Sequence, residues 1–451
     1  MSSSVLSPPS RPRTVRPLPR RRPLAVAAVV VVAALLFPVA SALGFFGPRL
    51  YLIVSQDPAE LRPYGGYIGA YGLVELSFGR VARLHYGDSK SLDGVYQERL
   101  ARGEIDTSTS PELTHLYAPG LSPDFPTTAR VMVDAYGTMT DDWPGGVVAV
   151  DPTIASALLG IVGPLDVPGE PETVTEANLV PLVLKHTQDF AAEDGDRKQF
   201  VYDLGLELMG RIRALPPTAW PALVGALARG ADERHLQVAL DDPLLQRLIH
   251  DRGWDGAYPH PPPADDFVAV VDTNVGYNKA NLVTLQELDY AVALGPAGAA
   301  DATLTVTYTN QGTGGLGFRT EDMPYLHEAV YDADVQVYVP AGSRPAPGTR
   351  GGGDDLQLRR AVLQDHVVVP PGARQAITFQ YRVPAPTPDA GRLRYGLLVR
   401  KQAGTDGVPV ALHVTGPDGW RALDTGQREW QAGAQLSVDQ RFSVTFERVG
   451  G

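Results

Sequence analysis

Residues 61–72 read Leu-Arg-Pro-Tyr-Gly-Gly-Tyr-Ile-Gly-Ala-Tyr-Gly, and this glycine- and tyrosine-rich stretch is the most informative part of the sequence. Glycine weakens the interior of a strand, so glycines this dense indicate that a ligand or another element approaches the backbone closely. Arg62 is a natural partner for an anion bound beside such a stretch. A tightly packed strand crossing fits the pattern as well, and both interpretations stay open. The candidates for the close approach are Gly65, Gly66 and Gly69.

The charge of the chain is divided unevenly between its N-terminus and the rest. Residues 1–47 contain six arginines and no acidic residue, whereas the remainder carries 33 basic and 51 acidic residues, a net charge of −18. Domains that bind nucleic acid usually have the opposite sign, so nucleic acid is not expected as a partner. The absence of cysteine from the sequence excludes disulfide bonds, thiolate metal sites and cysteine nucleophiles.

An uncharged segment at residues 24–46 is long enough to cross a bilayer, which requires about 20 residues. The arginines that precede it would keep the N-terminus in the cytoplasm. The sequence therefore predicts a disordered basic cytoplasmic tail at 1–23, a single transmembrane helix at 24–46, the cytoplasmic membrane as a partner, and a chain whose bulk is extracytoplasmic. A cleaved signal peptide ending near Ala40-Ser41-Ala42 is the alternative, and it also places the bulk outside.

The rest of the chain divides into two regions at a proline-rich linker, Pro259 to Pro263. Before it, strand and helix patterns interleave, which predicts an α/β domain at 48–258. After it, the hydrophobic period changes to two and about seven strands are separated by Gly/Pro turns. This pattern predicts an all-β sandwich at 266–451.

Arginines and acidic residues of the α/β region are the candidates for chemistry. Asp124 precedes a predicted helix that contains Arg130, Asp151 follows a buried strand where α/β folds usually place ligands, and Arg197 opens another helix. Three arginines, including Arg62, could bind phosphates, with Asp124 or Asp151 as ligands of a divalent metal such as Mg²⁺. Each residue could instead be a cap, a turn or a surface ion pair, and Asp124 fits a helix N-cap.

The motifs taken in order resemble DUF4012, a family of uncharacterised, membrane-anchored bacterial proteins. The resemblance rests on four motifs in the first region and on a fifth that supplies Asn274, Asn278 and Lys279. It implies an extracytoplasmic α/β domain, and it extends to the β region that follows. The motifs are Asp57-Pro-Ala-Glu-Leu-Arg-Pro-Tyr-Gly-Gly-Tyr-Ile-Gly-Ala-Tyr-Gly72, Ser122-Pro-Asp-Phe-Pro126, Gly145-Gly-Val-Val-Ala-Val-Asp-Pro152, Gly163-Pro164 and Asn274-Val-Gly-Tyr-Asn-Lys-Ala-Asn281.

That family is more distantly similar to the LytR-CpsA-Psr phosphotransferases, which move glycopolymers from polyprenyl-pyrophosphate carriers onto peptidoglycan. The resemblance implies a mixed sheet with helices, and it places Arg62 and Arg197 near pyrophosphate-binding arginines. In those enzymes an aspartate that works with the metal closely follows the first arginine, whereas Pro63, Tyr64 and Gly65 follow Arg62 here. The missing aspartate argues against catalysis by the same route, but it does not argue against binding of a similar carrier.

Two functions of different classes follow for this cell-envelope protein. The first is binding or transfer of a polyprenyl-phosphate-linked glycan during cell-wall assembly, which would make the protein phosphotransferase-like if it is an enzyme. The second is a non-catalytic scaffold or adhesion-like protein that binds wall polymer or a protein partner. The missing aspartate favours the second function.

Overall fold

The computed structural model describes residues 37–104, 115–116, 121–187, 194–260, 265–295, 299–312, 330–385, 387–389 and 391–449, with the side chains of 194–198 excepted. The N-terminal tail predicted at 1–23 and most of the predicted transmembrane segment lie outside these residues. Within them, a helix at 37–42 leads into turns at 43–47. That helix ends four residues before the predicted boundary at 46, and Gly44 and Gly47 follow it with positive φ angles of 75° and 142°.

No helix within the described ranges is long and apolar enough to cross a membrane. Residues 24–36 are not among those ranges. The membrane-spanning segment therefore stays a prediction.

A five-stranded mixed sheet forms the centre of the first region. Its strand order is β3-β2-β1-β4-β5, in which only β1 and β4 run parallel. The two parallel strands end side by side, so the residues after them lie at one edge of the sheet. The strands are β1 (Arg49–Asp57), β2 (Tyr67–Ser77), β3 (Arg80–Asp88), β4 (Gly146–Val150) and β5 (Leu236–Leu240).

In the part of the chain that the structure describes, seven helices accompany this sheet. Aspartate N-caps followed by proline in the first turn start α2, α3 and α7, a combination that satisfies free N–H groups and presets φ. Helix α2 shares a core with the sheet, whereas α3 to α6 share a second core. The helices are α1 (Ser91–Ala101), α2 (Phe125–Thr140), α3 (Pro152–Val162), α4 (Leu179–Thr187), α5 (Asp194–Arg213), α6 (Trp220–Asp232) and α7 (Pro243–Asp251).

Two further sheets make up the second region, which we call the two-sheet domain. The six-stranded sheet has the order β10-β13-β8-β7-β15-β17, and the seven-stranded sheet has the order β11-β12-β9-β6-β14-β18-β16. Apolar side chains from both sheets form one shared core. The strands are β6 (Asp266–Asn274), β7 (Thr284–Leu294), β8 (Ala299–Asn310), β9 (Tyr331–Pro340), β10 (Arg344–Pro345), β11 (Gly351–Asp355), β12 (Arg360–Val369), β13 (Arg374–Pro384), β14 (Arg392–Arg400), β15 (Val408–Thr415), β16 (Trp420–Ala422), β17 (Glu429–Leu436) and β18 (Gln440–Arg448).

The predicted fold class, a mixed α/β region followed by β-rich sheets, is confirmed at that level. The strand count after the linker was too low, because the sequence pattern gave about seven strands where the sheets contain thirteen. Strand β5 and helix α1 were also missed. Their short or weakly patterned sequences carry little periodic signal.

Candidate functional site

The glycine-rich stretch begins with a tight turn that folds back onto the end of β1. Gly65 has a φ of +135°, and a Cβ added there would lie 2.6 Å from Oε1 of Gln56. A Cβ on Gly66 would lie 2.5 Å from the carbonyl carbon of Asp57. At Gly69 the nearest atom would be 3.8 Å away, which is an ordinary contact. The close approach predicted from the glycines is therefore made at two of the three positions, and the approaching group is the protein itself.

Arg62 lies in the interior, with 1% of its surface exposed. Its Nη2 donates to Oε1 of Glu60 at 2.5 Å, and its Nη1 donates to the carbonyl oxygen of Asn274. The rings of Tyr67 and Tyr277 each lie 5.9 Å from the guanidinium carbon. Burial raises the pKa of the Glu60 carboxyl, and the neighbouring guanidinium opposes that shift. A carboxylate and a carbonyl of the protein therefore occupy the position beside Arg62 where a bound anion was predicted.

The fifth family-like motif, residues 274–281, lies directly against the first motif, residues 57–72. The backbone N–H of Asn274 donates to the carbonyl of Leu61 at 3.0 Å, and the N–H of Leu61 donates to Oδ1 of Asn281 at 3.2 Å. Lys279 forms an ion pair with Asp57. The two motifs, more than 200 residues apart in sequence, hold the α/β domain and the two-sheet domain together.

Asn278 acts within the two-sheet domain. Its Nδ2 donates to the carbonyl of Val330 at 2.9 Å, and its Oδ1 accepts the N–H of Ala280 at 3.0 Å. The side chain of Asn274 donates to Oδ1 of Asn281 at 2.8 Å. The asparagines thus shape the loop that carries Lys279 to the first motif.

A loop of the two-sheet domain, residues 400–405, covers the edge where β1 and β4 end. We call it the crossing loop. Gln402 Nε2 donates to the carbonyl of Arg62 at 3.0 Å, and Arg234 Nη1 donates to the carbonyl of Lys401 at 2.8 Å. A Cβ on Gly404 would lie 2.2 Å from the carbonyl oxygen of Gly65. The edge at which α/β folds usually bind ligands is therefore occupied by the protein's own chain.

Asp151, predicted as a metal candidate, lies at this covered edge and caps helix α3. Its Oδ1 accepts the N–H of Thr153 at 2.8 Å, and its Oδ2 lies 2.6 Å from Nδ1 of His235. Both side chains of this carboxylate–imidazole pair are buried. Burial lowers the pKa of the nearby Lys401 to about 8.

Asp124, the other metal candidate, is the N-cap of helix α2, as the alternative interpretation had it. Its Oδ2 accepts from the N–H and the hydroxyl of Thr127 at 3.2 and 2.7 Å, and its Oδ1 accepts the N–H of Tyr258 at 2.8 Å. Across the described part of the chain, no group of three or more His, Asp or Glu side chains could hold a metal ion.

The two other arginines of the predicted phosphate clamp are not brought to Arg62 by any described contact. Arg130 is exposed on helix α2, whereas Arg62 is buried. Arg197 falls in the first turn of helix α5, and its side chain lies outside the described residues. The clamp stays a prediction, and the surroundings of Arg62 do not favour it.

A buried ion pair at the junction of the two domains was not predicted from the sequence. Both Nη atoms of Arg234 donate to the carboxylate of Asp439 at 2.6 Å. Arg400 lies 3.7 Å from the same carboxylate, and its guanidinium carbon lies 4.2 Å from the ring centre of Tyr258. The Arg234 guanidinium, followed by Arg400, holds the pKa of Asp439 down at about 2 against the effect of burial. No local signal marks these residues, because the partners are 205 positions apart.

An open cleft of about 770 Å³ lies where the two domains meet. Asp255, a buried residue of the cleft lining, connects two of its neighbours. Its Oδ2 accepts from the Gln246 amide at 3.1 Å and lies 2.9 Å from Nδ1 of His250. On one side Gln357 of the two-sheet domain donates to the hydroxyl of Thr127 at 2.9 Å. The lining residues of this domain cleft are Asp124, Pro126, Thr127, Pro243, Gln246, Arg247, His250, Asp251, Asp255, Ala257, Tyr258, Pro259, His260, Gln357 and Leu358.

The side chains of the domain cleft combine donors and acceptors, and with three aspartates and one arginine their charge is acidic. Arg247 lies 3.9 Å from Asp251, and His250 is paired with Asp255. This acidic lining disfavours an anion, whereas amides, carboxylates and imidazoles together can both donate to and accept from hydroxyl groups. The volume and the position between two domains are typical of ligand sites.

Comparison with known proteins finds one family model that matches part of the chain. Residues 47–187 match the model described as "Protein of unknown function (DUF4012)". This match supports the family for that part of the chain. The matched part contains Arg62, Asp124, Arg130 and Asp151, whereas the two-sheet domain lies outside it. No curated protein matches the chain.

Several solved structures share a low level of similarity with the chain. A putative nutrient binding protein from Legionella pneumophila is 9% identical with a TM-score of 0.26, over 40% of this chain and 71% of that protein. A protein from Streptococcus agalactiae is 13% identical with a TM-score of 0.29, over 46% and 74%. A protein from Listeria innocua is 10% identical with a TM-score of 0.23, over 46% and 79%.

Proposed function

We propose that this protein is a membrane-anchored, extracytoplasmic protein of the cell envelope that binds a wall glycan without reacting with it. Its α/β domain and its two-sheet domain, which we regard as a β-sandwich, act together as one scaffold. The observation that carries the proposal is the crossing loop, because residues 400–405 fill the edge of the sheet where a carrier-linked substrate would be expected.

Three further contacts support a scaffold over a phosphotransferase. Arg62 is paired with Glu60, Asp151 is paired with His235, and Lys279 is paired with Asp57. An arginine that is to bind a pyrophosphate must exchange its partner for the ligand, and breaking a buried ion pair such as that of Arg62 with Glu60 costs about 3–5 kcal/mol. These side chains are therefore better suited to holding two domains together than to binding and releasing a substrate. A distant LytR-CpsA-Psr-like origin is compatible with this change of role.

The domain cleft is the ligand site of the proposal. Its acidic lining and its amides favour a neutral polyhydroxylated ligand over a polyanion. A glycan strand of the cell wall has this chemistry. An open cleft can accept an internal segment of a polymer, which an enclosed pocket cannot.

Binding can be tested on the full chain in detergent micelles with purified peptidoglycan glycan strands. We expect saturable binding that Arg247→Ala and His260→Ala weaken, because both side chains line the cleft and are exposed. Arg374→Ala is the matched control, since Arg374 is also an exposed arginine paired with a carboxylate, but on the two-sheet domain. Equal binding by all variants would remove the domain cleft from the proposal.

A second assay separates the scaffold from the carrier-linked function. The same protein is incubated with a polyprenyl-pyrophosphate glycan, with and without Mg²⁺, and transfer is followed. We expect no transfer in either condition. Mg²⁺-dependent transfer that is lost in Arg130→Ala, with an unchanged melting temperature, would establish the phosphotransferase alternative instead.

A further inference from the structure

Four exposed phenylalanines lie together where the predicted membrane segment meets the mixed sheet. Phe37 and Phe46 stack with their ring centres 4.9 Å apart, and Phe45 meets Phe78 edge to face at 6.3 Å. Phe46 and Phe78 are 66% and 69% exposed. We call these four residues the exit patch. Exposed apolar clusters of this kind mark contacts with a membrane or another molecule.

The exit patch is fixed to the mixed sheet by backbone hydrogen bonds. The N–H of Phe78 donates to the carbonyl of Gly44 at 3.1 Å, and the N–H of Gly79 donates to the carbonyl of Leu43 at 2.8 Å. Gly44 has a φ of +75°, and a Cβ added there would lie 2.2 Å from the carbonyl oxygen of Leu76. The tip of the β2–β3 hairpin and the chain that precedes β1 therefore present one common surface.

Phe78 occupies a position that its side chain does not favour. Ser77 pairs with Arg80 across the hairpin, so Phe78 and Gly79 form a two-residue loop, and their φ angles are +49° and +71°. Loops of this kind prefer Asn-Gly, and a bulky side chain at positive φ is an outlier. A strained position that keeps an exposed aromatic side chain points to a use for that side chain.

We propose that the exit patch inserts into the interface of a lipid bilayer and holds the tip of the β2–β3 hairpin against the membrane. This inference rests on the proposed membrane anchor. The bilayer is favoured over other occupants because the uncharged residues 24–36 lead directly into Phe37. A bilayer spanned by the predicted segment at 24–46, which contains three of the four phenylalanines, would lie beside the patch. Arg80, exposed immediately after the loop, could reach lipid phosphates from this position.

The test uses single-cysteine variants of the full chain, since the sequence has no cysteine of its own. Phe78→Cys carries a fluorescent label, and the protein is reconstituted in phosphatidylcholine–phosphatidylglycerol vesicles and floated. Iodide quenches the label from water, and nitroxide lipids quench it from the bilayer. Leu356→Cys, at an 85% exposed position of the two-sheet domain, is the control. Ser77→Cys reports on the same loop with a smaller change of side chain.

We expect the labels at 77 and 78 to be quenched several-fold more by nitroxide lipid and several-fold less by iodide than the label at 356. Iodide quenching at 77 and 78 equal to that at 356, in vesicles that carry the protein, would overturn the exit patch and leave the anchor intact. Shielding from both quenchers would indicate a second copy of the chain and would also overturn it. Failure of the chain to float with the vesicles would overturn both the membrane anchor and the exit patch. Glycan binding by the domain cleft is measured in its own assay and does not depend on this result.

Discussion

At position 62 an arginine is held in the interior by one carboxylate and one carbonyl of the protein. The planar guanidinium has five donors and suits buried ion pairs as well as phosphates. The groups that surround the guanidinium determine whether it forms a buried ion pair or binds a phosphate. Glu60 comes from the same loop, whereas the Asn274 carbonyl comes from the two-sheet domain, so one side chain stabilises both the turn and the junction.

Replacing Arg62 should therefore reduce stability more than it reduces ligand binding. Arg62→Ala leaves the Glu60 carboxyl buried without its partner, and we expect the free energy of unfolding to fall by about 3–5 kcal/mol. Arg83→Ala is the matched control, because Arg83 pairs with Glu75 and Asp142 at an exposed site of the same sheet, and such pairs contribute about 0–1 kcal/mol. Urea denaturation measures both. A small loss for Arg62→Ala would contradict the structural role.

At the scale of elements, the crossing loop joins the two domains through a contact that tolerates no side chain. Gly404 has a φ of +77°, and its added Cβ would meet the carbonyl oxygen of Gly65 at 2.2 Å. Gly391 has the same φ of +77° with nothing within 4 Å of the added Cβ. The two glycines therefore share a backbone conformation and differ in what surrounds them.

Alanine substitutions at Gly391 and Gly404 should distinguish the energetic cost of backbone strain from the cost of disturbing the contact between the domains. Gly391→Ala is expected to cost about 1–2 kcal/mol, the penalty of a positive φ. Gly404→Ala adds the displacement of the loop from Gly65, for which overpacking costs about 1–3 kcal/mol more. The midpoints of urea denaturation measure the difference. Equal losses for the two variants would show that the close approach has no energetic consequence.

The same elements show which parts of the structure local sequence patterns could predict. Strands β1 and β2 and helices α2 and α3 have clear periodicity, caps or turn residues, because these depend on neighbours along the chain. The glycine turn was predicted as a close approach, and Gln56 and Asp57 at the end of β1 are the groups that approach Gly65 and Gly66. The partners of Arg62 could not be predicted from local patterns, because Gln402 and Asn274 lie hundreds of positions away. A cap and a metal ligand are both aspartates before a helix, so Asp124 could not be assigned from its own surroundings.

At the scale of the whole molecule, two carboxyls buried within the two-sheet domain make stability depend on pH. Burial raises the pKa of Asp266 and of Asp272 from 3.8 to about 6, although tyrosine hydroxyls that donate to them oppose the shift. Between these pKa values the folded state binds more protons than the unfolded state, so stability falls as pH rises through this window. The hydroxyls belong to Tyr290 and Tyr395 at Asp266, and to Tyr308 and Tyr331 at Asp272.

We expect acidification from pH 7 to pH 5 to raise the free energy of unfolding by roughly 1 kcal/mol for each of these carboxyls. Asp266→Asn should remove about half of that increase, whereas Asp301→Asn, at an exposed position, should leave it unchanged. Urea denaturation at several pH values measures the slope. A decrease in stability between pH 7 and pH 5, or an unchanged slope in Asp266→Asn, would contradict the raised pKa of these carboxyls.

The junction as a whole depends on Asp439, which pairs with Arg234 of the α/β domain and lies 3.7 Å from Arg400. Asp439→Asn leaves both guanidiniums without their carboxylate. We expect the chain at pH 7 to unfold in one calorimetric transition and the variant to unfold in two, with the α/β domain and the two-sheet domain melting separately. Asp418→Asn, which removes the exposed partner of Arg428, should keep a single transition.

Because the pKa of Asp439 is held at about 2, the coupling should persist in the unsubstituted chain until the pH falls through the range between 3.8 and about 2. Two transitions already present in the unsubstituted chain at pH 7 would show that the junction does not couple the domains.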